Sequence, residues 1–206
     1  MIRCALFDIG NVLLFFSHDR MERQLAEVYG CTPREVHLRL FESGLVHAYD
    51  RGRISTEELF AELAAGGVEV DYETAREAAS RIFEPNEEIV PVVEALKKDG
   101  VRLLLLSNTC EVHSSYFLKT FEHLQLFDDR VFSHEVGYGK PEGGIYRAAL
   151  LRSGCAASEC FFVDDIPEYV DAAAGHGMKS AVYTDVPTLL LSLQRVGVDL
   201  SSHGLF

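Results

Sequence analysis

Short apolar runs alternate along most of the chain with segments whose apolar residues recur at helical spacing. The first run, Ile2 to Phe7, stops at a turn with polar residues and glycine and predicts a buried strand. The later runs predict four more strands, at 101–106, 130–133, 160–163 and 180–183. The helical segments lie around 87–98, 112–124, 143–152, 168–176 and 187–195. This alternation predicts an α/β fold with a parallel sheet and right-handed crossovers.

A second region has helical periodicity without strand-like runs between its helices. It extends from Asp19 to about Glu84, with turn signals at Gly30, Gly52 and Gly66-Gly67. We predict a small all-helical insert over residues 17–85, called the helical insert below. The remaining segments, 1–16 and 86–206, would form the α/β core domain.

The charge and hydropathy of the chain exclude several classes of partner. A formal net charge of −13 disfavours binding to nucleic acid or to anionic membranes, since both require a basic surface. No apolar run approaches the ~18 residues that a membrane-spanning helix needs, and no signal-peptide core precedes the first acidic residue. The sequence therefore predicts a cytoplasmic protein that takes a small ligand.

Polar side chains follow the predicted strands at the points where the strands end. Asp8 follows the first strand, Ser107 the second, and the pair Asp164-Asp165 the fourth, while the loop after the third strand carries Lys140. In parallel sheets, ligands bind beyond the carboxyl ends of the strands. We therefore expect these side chains to form one site.

A divalent cation is expected in this site because carboxylates held together repel each other unless a cation lies among them. Magnesium prefers oxygen ligands and often takes one or two carboxylates, which fits Asp8 with Asp165 and also Asp164. An aspartate beside such a cation can attack phosphorus, and Asp8 is the predicted nucleophile. Ser107 would donate hydrogen bonds to the phosphoryl oxygens, and Lys140 would neutralise developing charge.

These residues, in this order, resemble the four motifs of the haloacid dehalogenase superfamily phosphatases. The motifs are Asp8, Ser107 in Ser-Asn-Thr, Lys140 in Gly-Lys-Pro, and Asp164-Asp165. The resemblance implies a Rossmann-like core with helices on both faces of the sheet. It also implies a helical cap that closes over the substrate, and Mg²⁺-dependent hydrolysis of a small phosphomonoester through an aspartyl-phosphate.

The resemblance extends to further site residues and shows one departure. It implies that Asn108 contacts the substrate beside Ser107 and Lys140, and that Gly10 belongs to the metal site. Related phosphatases, however, carry a second aspartate, the general acid and base, at the position of Gly10. The Asp8-x-Gly10-Asn11-Val12 pattern is similar to a branch that includes sugar-1-phosphate phosphatases such as glucose-1-phosphate phosphatase. An anomeric hydroxyl leaves easily, so a sugar phosphate is the predicted substrate.

Three polar residues near the predicted site have two interpretations each. His18 and Asp19 are candidates to replace the missing acid or base, but Asp19 is equally a natural helix N-cap. Glu168 either orients the metal or Lys140, or it is a first-turn glutamate that favours the helix dipole.

Three other functions remain open at this level: a noncatalytic phosphate-binding or regulatory module, a dehalogenase that needs no metal, and a phosphomutase. The oligomeric state is also open.

Overall fold

A parallel five-stranded sheet forms the centre of the protein in a computed structural model that describes residues 1–64, 67–68 and 70–205. The strands are β1 (Cys4–Phe7), β4 (Arg102–Ser107), β5 (Asp129–Phe132), β6 (Cys160–Asp164) and β7 (Lys179–Val182). Their order in the sheet is β5-β4-β1-β6-β7. All neighbouring pairs are parallel, which confirms the predicted α/β fold.

Helices cover both faces of this sheet. Strand residues alternate between two apolar layers, because successive side chains of a strand point to opposite faces. Phe7, Leu105 and Val163 face one layer, and Leu6 and Phe162 face the other. The first layer is covered by α6 (Val90–Lys98), α7 (Glu111–Thr120) and α11 (Val186–Arg195). The second is covered by α9 (Gly143–Ser153) and α10 (Pro167–Gly175), and α8 (Ser133–Val136) is a single turn after β5.

The helical insert packs around a second apolar cluster, which also includes Cys110 and Val112. Its helices are α1 (His18–Tyr29), α2 (Pro33–His37), α3 (Leu45–Tyr49), α4 (Thr56–Leu63) and α5 (Tyr72–Ser80), with a π-helical turn at Leu38–Glu42. The described residues therefore agree with the predicted helical content, while Gly66 of the predicted turn lies outside them. Ser17, not Asp19, is the N-cap of α1: its hydroxyl accepts a hydrogen bond from the Arg20 amide.

A short antiparallel ribbon, which the sequence pattern did not predict, connects the insert to the core. Its strands are β2 (Leu14–Phe16) and β3 (Phe83–Pro85). The chain enters and leaves the insert through this ribbon, so both connections lie beside the carboxyl end of β1. The register of the central strands places the other site segments at the same edge, since Phe7 pairs with Leu105 and with Val163.

Candidate active site

Three charged side chains meet at the carboxyl end of the central strands. The Lys140 Nζ atom lies 2.7 Å from Asp8 Oδ1 and 2.5 Å from Asp164 Oδ2. All three side chains are nearly inaccessible to solvent: the residues are 2%, 6% and 0% exposed, respectively. Removing one member would leave a buried charge without its partner, which is strongly destabilising. The structure thus brings Asp8, Lys140 and Asp164 into contact with one another through the Lys140 ammonium.

The electrostatics of this cluster follow from burial and from the charges around it. Burial lowers the pKa of Lys140, but the carboxylates of Asp8 and Asp164 outweigh burial and raise the pKa above its ordinary value. Burial raises the pKa of Asp164 to about 6, with a further rise from Asp8 and an opposing effect of Lys140. Lys140 is therefore positively charged, and its single ammonium group forms ion pairs with two carboxylates.

The carboxylates of Asp8, Asp164 and Asp165 form a donor set suited to a hard cation. One oxygen from each residue lies within 4.8 Å of the others. Asp164 Oδ1 accepts a hydrogen bond from the Ile166 amide at 2.9 Å, which fixes the turn after β6. Oxygen atoms of this kind match the ligands that Mg²⁺ prefers, so the residues present fit the predicted metal.

Asn11 orients Asp165, the most exposed residue of this donor set. The sequence alone did not predict this role. Its Nδ2 donates to Asp165 Oδ2 at 3.0 Å. Its φ of 55° lies in the left-handed region, which asparagine tolerates better than most residues. The sequence feature that could have indicated this role is an asparagine directly after Gly10, in the turn that follows β1. Gly10 adjoins both Asp8 and Asn11, and its predicted contact with the metal stays a prediction.

Asn108 holds the backbone of Lys140. Its Oδ1 accepts a hydrogen bond from the Lys140 amide at 2.7 Å, and its Nδ2 donates to the Lys140 carbonyl at 2.9 Å. The Lys140 ammonium also lies 5.1 Å from the ring centre of Tyr169. These contacts position the lysine, whereas the predicted contact of Asn108 with substrate stays a prediction.

Ser107 and Thr109 complete the end of β4. Ser107 is 4% exposed, and its hydroxyl makes a long 3.4 Å contact with the Asn108 carbonyl, so it can rotate toward a ligand. The Thr109 amide donates to Ser133 Oγ at 2.9 Å, and that hydroxyl donates to the Thr109 carbonyl at 3.0 Å. Thr109 is therefore fastened to the first residue of α8, which precedes the loop that carries Lys140.

The other candidates named from sequence lie around this cluster. His18 packs its ring against Phe16 and Phe41, with centroid distances of 5.0 and 5.2 Å. Asp19 lies in the first turn of α1. Glu168 is an exposed first-turn residue of α10, and the carboxylates paired with Lys140 in the described structure are Asp8 and Asp164. The geometry favours the helix-dipole interpretation of Glu168.

A cavity of about 190 Å³ extends from the strand ends into the helical insert. Gly10, Ser107 and Asn108 line its core end. Its walls are mostly apolar side chains of the insert, together with His18, Asp50 and His113. Such a pocket, apolar with a few polar groups beside perturbed carboxylates, is where a ligand is expected. Its walls come from distant parts of the chain, so the local sequence patterns gave no signal for it.

The insert also contacts the loop that carries Lys140. The side chain of Arg51 is 8% exposed, and its Nε and Nη2 atoms donate to Glu142 Oε1 at 3.0 and 2.5 Å. The guanidinium occupies the space that a Cβ atom at Gly139 would need. The turn containing Arg51 is therefore partly an interface between the insert and the core.

Comparisons with known proteins bear on the family and the fold of the chain. A sequence profile described as haloacid dehalogenase-like hydrolase matches residues 2–177. The GMP/IMP nucleotidase YrfG of Escherichia coli is 31% identical over 96 residues, 45% of this chain and 42% of that relative's length. The chain thus spans less than half of that curated relative. The sesquiterpene phosphatase astK of Aspergillus oryzae is 23% identical over 94% of this chain and 96% of its own.

A solved structure shows the same architecture. The HAD family enzyme BT-2542 of Bacteroides thetaiotaomicron, in complex with magnesium and inorganic phosphate, superposes with a TM-score of 0.79. The two chains are 20% identical, and the match covers 89% of this chain and 95% of the other. This likeness supports the fold.

None of the helices in the described ranges has the length and apolar character to cross a membrane.

Proposed function

Since the chain belongs to the haloacid dehalogenase-like hydrolase family, we propose that it is a Mg²⁺-dependent phosphatase that hydrolyses a small phosphomonoester. The observation that carries this proposal is that the Lys140 ammonium pairs with Asp8 and Asp164, while the carboxylates of Asp8, Asp164 and Asp165 form one donor set. Two relatives named nucleotidase and phosphatase, and a neighbour that contains magnesium and phosphate, support the same reaction class.

The proposed chemistry uses Asp8 as the nucleophile. A carboxylate oxygen of Asp8 attacks phosphorus, the bond from phosphorus to the leaving oxygen breaks, and water then hydrolyses the aspartyl-phosphate. Lys140 offsets the charge of the phosphoryl oxygens, and Ser107 donates a hydrogen bond to one of them. A bound Mg²⁺ would supply Lewis-acid stabilisation of that charge. Asp8, Asp164, Asp165 and Gly10 would hold the ion.

The supporting residues act by positioning this machinery. Asn108 fixes the backbone of Lys140, and Asn11 fixes Asp165. We propose that residues 17–85 form a cap domain over a core made of residues 1–16 and 86–206. Its contact through Arg51 and Glu142 would link closure of the cap to the position of the Lys140 loop.

The identity of the alcohol in the phosphate ester is a separate question. The Gly10 pattern predicts a sugar phosphate, and the names of the two relatives point to a nucleotide and to a terpene phosphate. The three indications disagree, so the cavity beside the site is the better guide to the alcohol. A metal-independent dehalogenase is disfavoured, because that chemistry needs neither the acidic pair nor a phosphate site.

The nucleophile can be tested by substitution. We expect Asp8→Asn to lower hydrolysis of p-nitrophenyl phosphate in Mg²⁺ at least about a thousandfold, because the attacking oxygen is lost. Rapid acid quenching with mass spectrometry should detect a phosphorylated peptide containing residue 8 in the unmodified protein. The control is Asp171→Asn, which changes an exposed aspartate of α10. Activity that survives in Asp8→Asn would exclude the covalent mechanism, and inactivity of the unmodified protein toward all esters and metals would favour a binding module.

A further inference from the structure

The cavity beside the catalytic cluster has two chemically different ends. Ser107 and Asn108, next to the proposed phosphate position, line the first end. Leu25, Leu40 and Phe60 are among the residues that line the second end, inside the helical insert. A phosphate ester that reacts at Asp8 would therefore direct its organic part toward an apolar space. This geometry constrains the substrate class.

Tyr49 and His113, two of the polar residues in the walls, have hydrogen-bond partners within the protein. The Tyr49 hydroxyl lies 2.7 Å from Thr56 Oγ1 and accepts a hydrogen bond from the Val112 amide at 3.2 Å. His113 Nε2 lies 3.2 Å from the Ala79 carbonyl oxygen. A sugar has several hydroxyl groups, and each one buried here without a partner would lower binding roughly tenfold. A polyhydroxylated alcohol is therefore a poor match.

Positive charge is also lacking along the described walls, which include no lysine or arginine. Burial lowers the pKa of His113 to about 4 and lowers that of His18, which keeps both rings neutral near pH 7. Burial raises the pKa of Asp50 to about 6, against the opposing effect of Arg51. An additional anionic group on the substrate would find no counter-charge there.

Size and wall geometry favour a compact ring. The volume of about 190 Å³ exceeds the ~150 Å³ of an apolar cavity that is known to hold benzene. Five phenylalanine side chains line the space: Phe16, Phe41, Phe60, Phe83 and Phe117. Aromatic side chains make edge and offset contacts with a further aromatic ring placed among them.

We propose that the cavity binds the organic part of the substrate and that this part is a compact aromatic alcohol, so that the substrate is a phenolic phosphate monoester. This inference rests on the proposed phosphatase function.

A phenolic leaving group also fits the glycine at position 10. As the Asp8 oxygen bonds to phosphorus, the bond from phosphorus to the phenolic oxygen breaks, and the phenolate takes its proton from water. A phenolate needs less help from a general acid than an alkoxide does.

Binding of unreactive phosphonates tests the cavity separately from the chemistry. In buffer with MgCl₂, calorimetry should show that phenylphosphonate binds at least tenfold more tightly than methylphosphonate, because the ring is buried. Val46→Phe, which fills a cavity wall, should reduce this ratio at least fivefold. The matched control is Val28→Phe, since Val28 is also a half-buried helical valine of the insert but does not line the cavity. Equal binding of the two phosphonates by the unmodified protein would overturn the proposal.

Turnover of four esters tests the same proposal in the reaction. The set is phenyl phosphate, cyclohexyl phosphate, glucose 1-phosphate and glucose 6-phosphate, which varies ring polarity and leaving group independently. Phenyl phosphate should have the highest kcat/KM, by at least tenfold. A glucose ester or cyclohexyl phosphate that equals it would overturn the inference and leave the phosphatase function intact. Preferential phenylphosphonate binding without hydrolysis of any ester would support an aromatic phosphate site while refuting the phosphatase function.

Discussion

At the scale of single residues, Gly10 leaves an opening beside the nucleophile. A Cβ atom at this position would lie 2.9 Å from Phe16 Cε1 and 3.9 Å from Asp8 Oδ2. Phe16 is 36% exposed, so the edge of its ring has room to move away. The site can therefore accept a side chain at position 10, and it would lie next to the reacting carboxylate. The motif resemblance implies that an aspartate acting as general acid and base would stand at this position.

Gly10→Asp should therefore supply the missing proton donor. We expect its kcat for cyclohexyl phosphate to exceed that of Gly10→Asn at least tenfold, because proton donation matters most when the leaving group is an alkoxide. Gly10→Asn has nearly the same volume and no acidic proton, and phenyl phosphate should distinguish the two variants much less. Equal rates for both variants on cyclohexyl phosphate would show that another group, such as His18, already donates the proton.

The separate residues of the site differ in how far sequence could predict them. Asp8, Lys140 and Asp164 each follow a strand, and parallel strands bring their carboxyl ends together, so topology alone predicted that they would meet. The tasks of Asn11 and Asn108 depend on local backbone geometry, which spacing does not reveal. Tertiary contacts explain why these two amides orient other site residues.

At the scale of elements, the turn after α3 packs on the loop that carries Lys140. Two glycines make this approach possible. A Cβ atom at Gly139 would overlap the Arg51 guanidinium, and one at Gly52 would overlap the His134 carbonyl oxygen. The second of these is a contact with backbone, which cannot move aside as a side chain can. The close approach therefore depends on the absence of side chains at both positions.

Gly139→Ala should be destabilising in a way that depends on Arg51. We expect a loss of about 1–3 kcal/mol in the free energy of unfolding from overpacking. In an Arg51→Met background the added loss should fall by at least about 1 kcal/mol, since the two side chains no longer compete for one space. Urea unfolding measures both values. Gly175→Ala is the control, because nothing lies within 4 Å of its added Cβ atom. Additive losses would contradict the proposed packing.

The element pattern was predicted well where periodicity is strong and missed where it is not. The five core strands and the flanking helices follow from alternating apolar runs. The β2–β3 ribbon has strands of three residues each, Leu14–Phe16 and Phe83–Pro85, which are too short for periodicity to show. It also pairs segments about 70 residues apart along the chain. Such non-local pairing is set by the core and the insert together, not by local sequence.

At the scale of the whole molecule, anionic charge is concentrated where an anionic substrate is expected to bind. The chain has a formal net charge of −13. Three carboxylates share the catalytic edge of the sheet with one buried ammonium. The ammonium offsets one of the three negative charges, and the remaining repulsion opposes folding unless a further cation is bound. A divalent ion would thus stabilise the folded protein as well as prepare the site for phosphate.

Magnesium should therefore raise the thermal stability measurably. At a Mg²⁺ concentration ten times the dissociation constant, binding to the folded state alone adds about 1.4 kcal/mol to the free energy of unfolding. For a chain of this length we expect Tm to rise by about 3–6 °C in differential scanning calorimetry. NaCl at the same ionic strength controls for general screening of the net charge.

The Mg²⁺ response should depend on Asp165 and not on exposed aspartates elsewhere. Asp165→Asn removes one carboxylate from the donor set, so its Tm should rise by less than half as much at the same Mg²⁺ concentration. Asp171→Asn removes the same formal charge from an exposed position on α10 and should respond as the unmodified protein does. An equal Tm rise in all three proteins would show that Mg²⁺ acts by screening the overall charge. A rise lost only in Asp165→Asn would locate the ion at the carboxyl ends of β1 and β6, beside the proposed nucleophile.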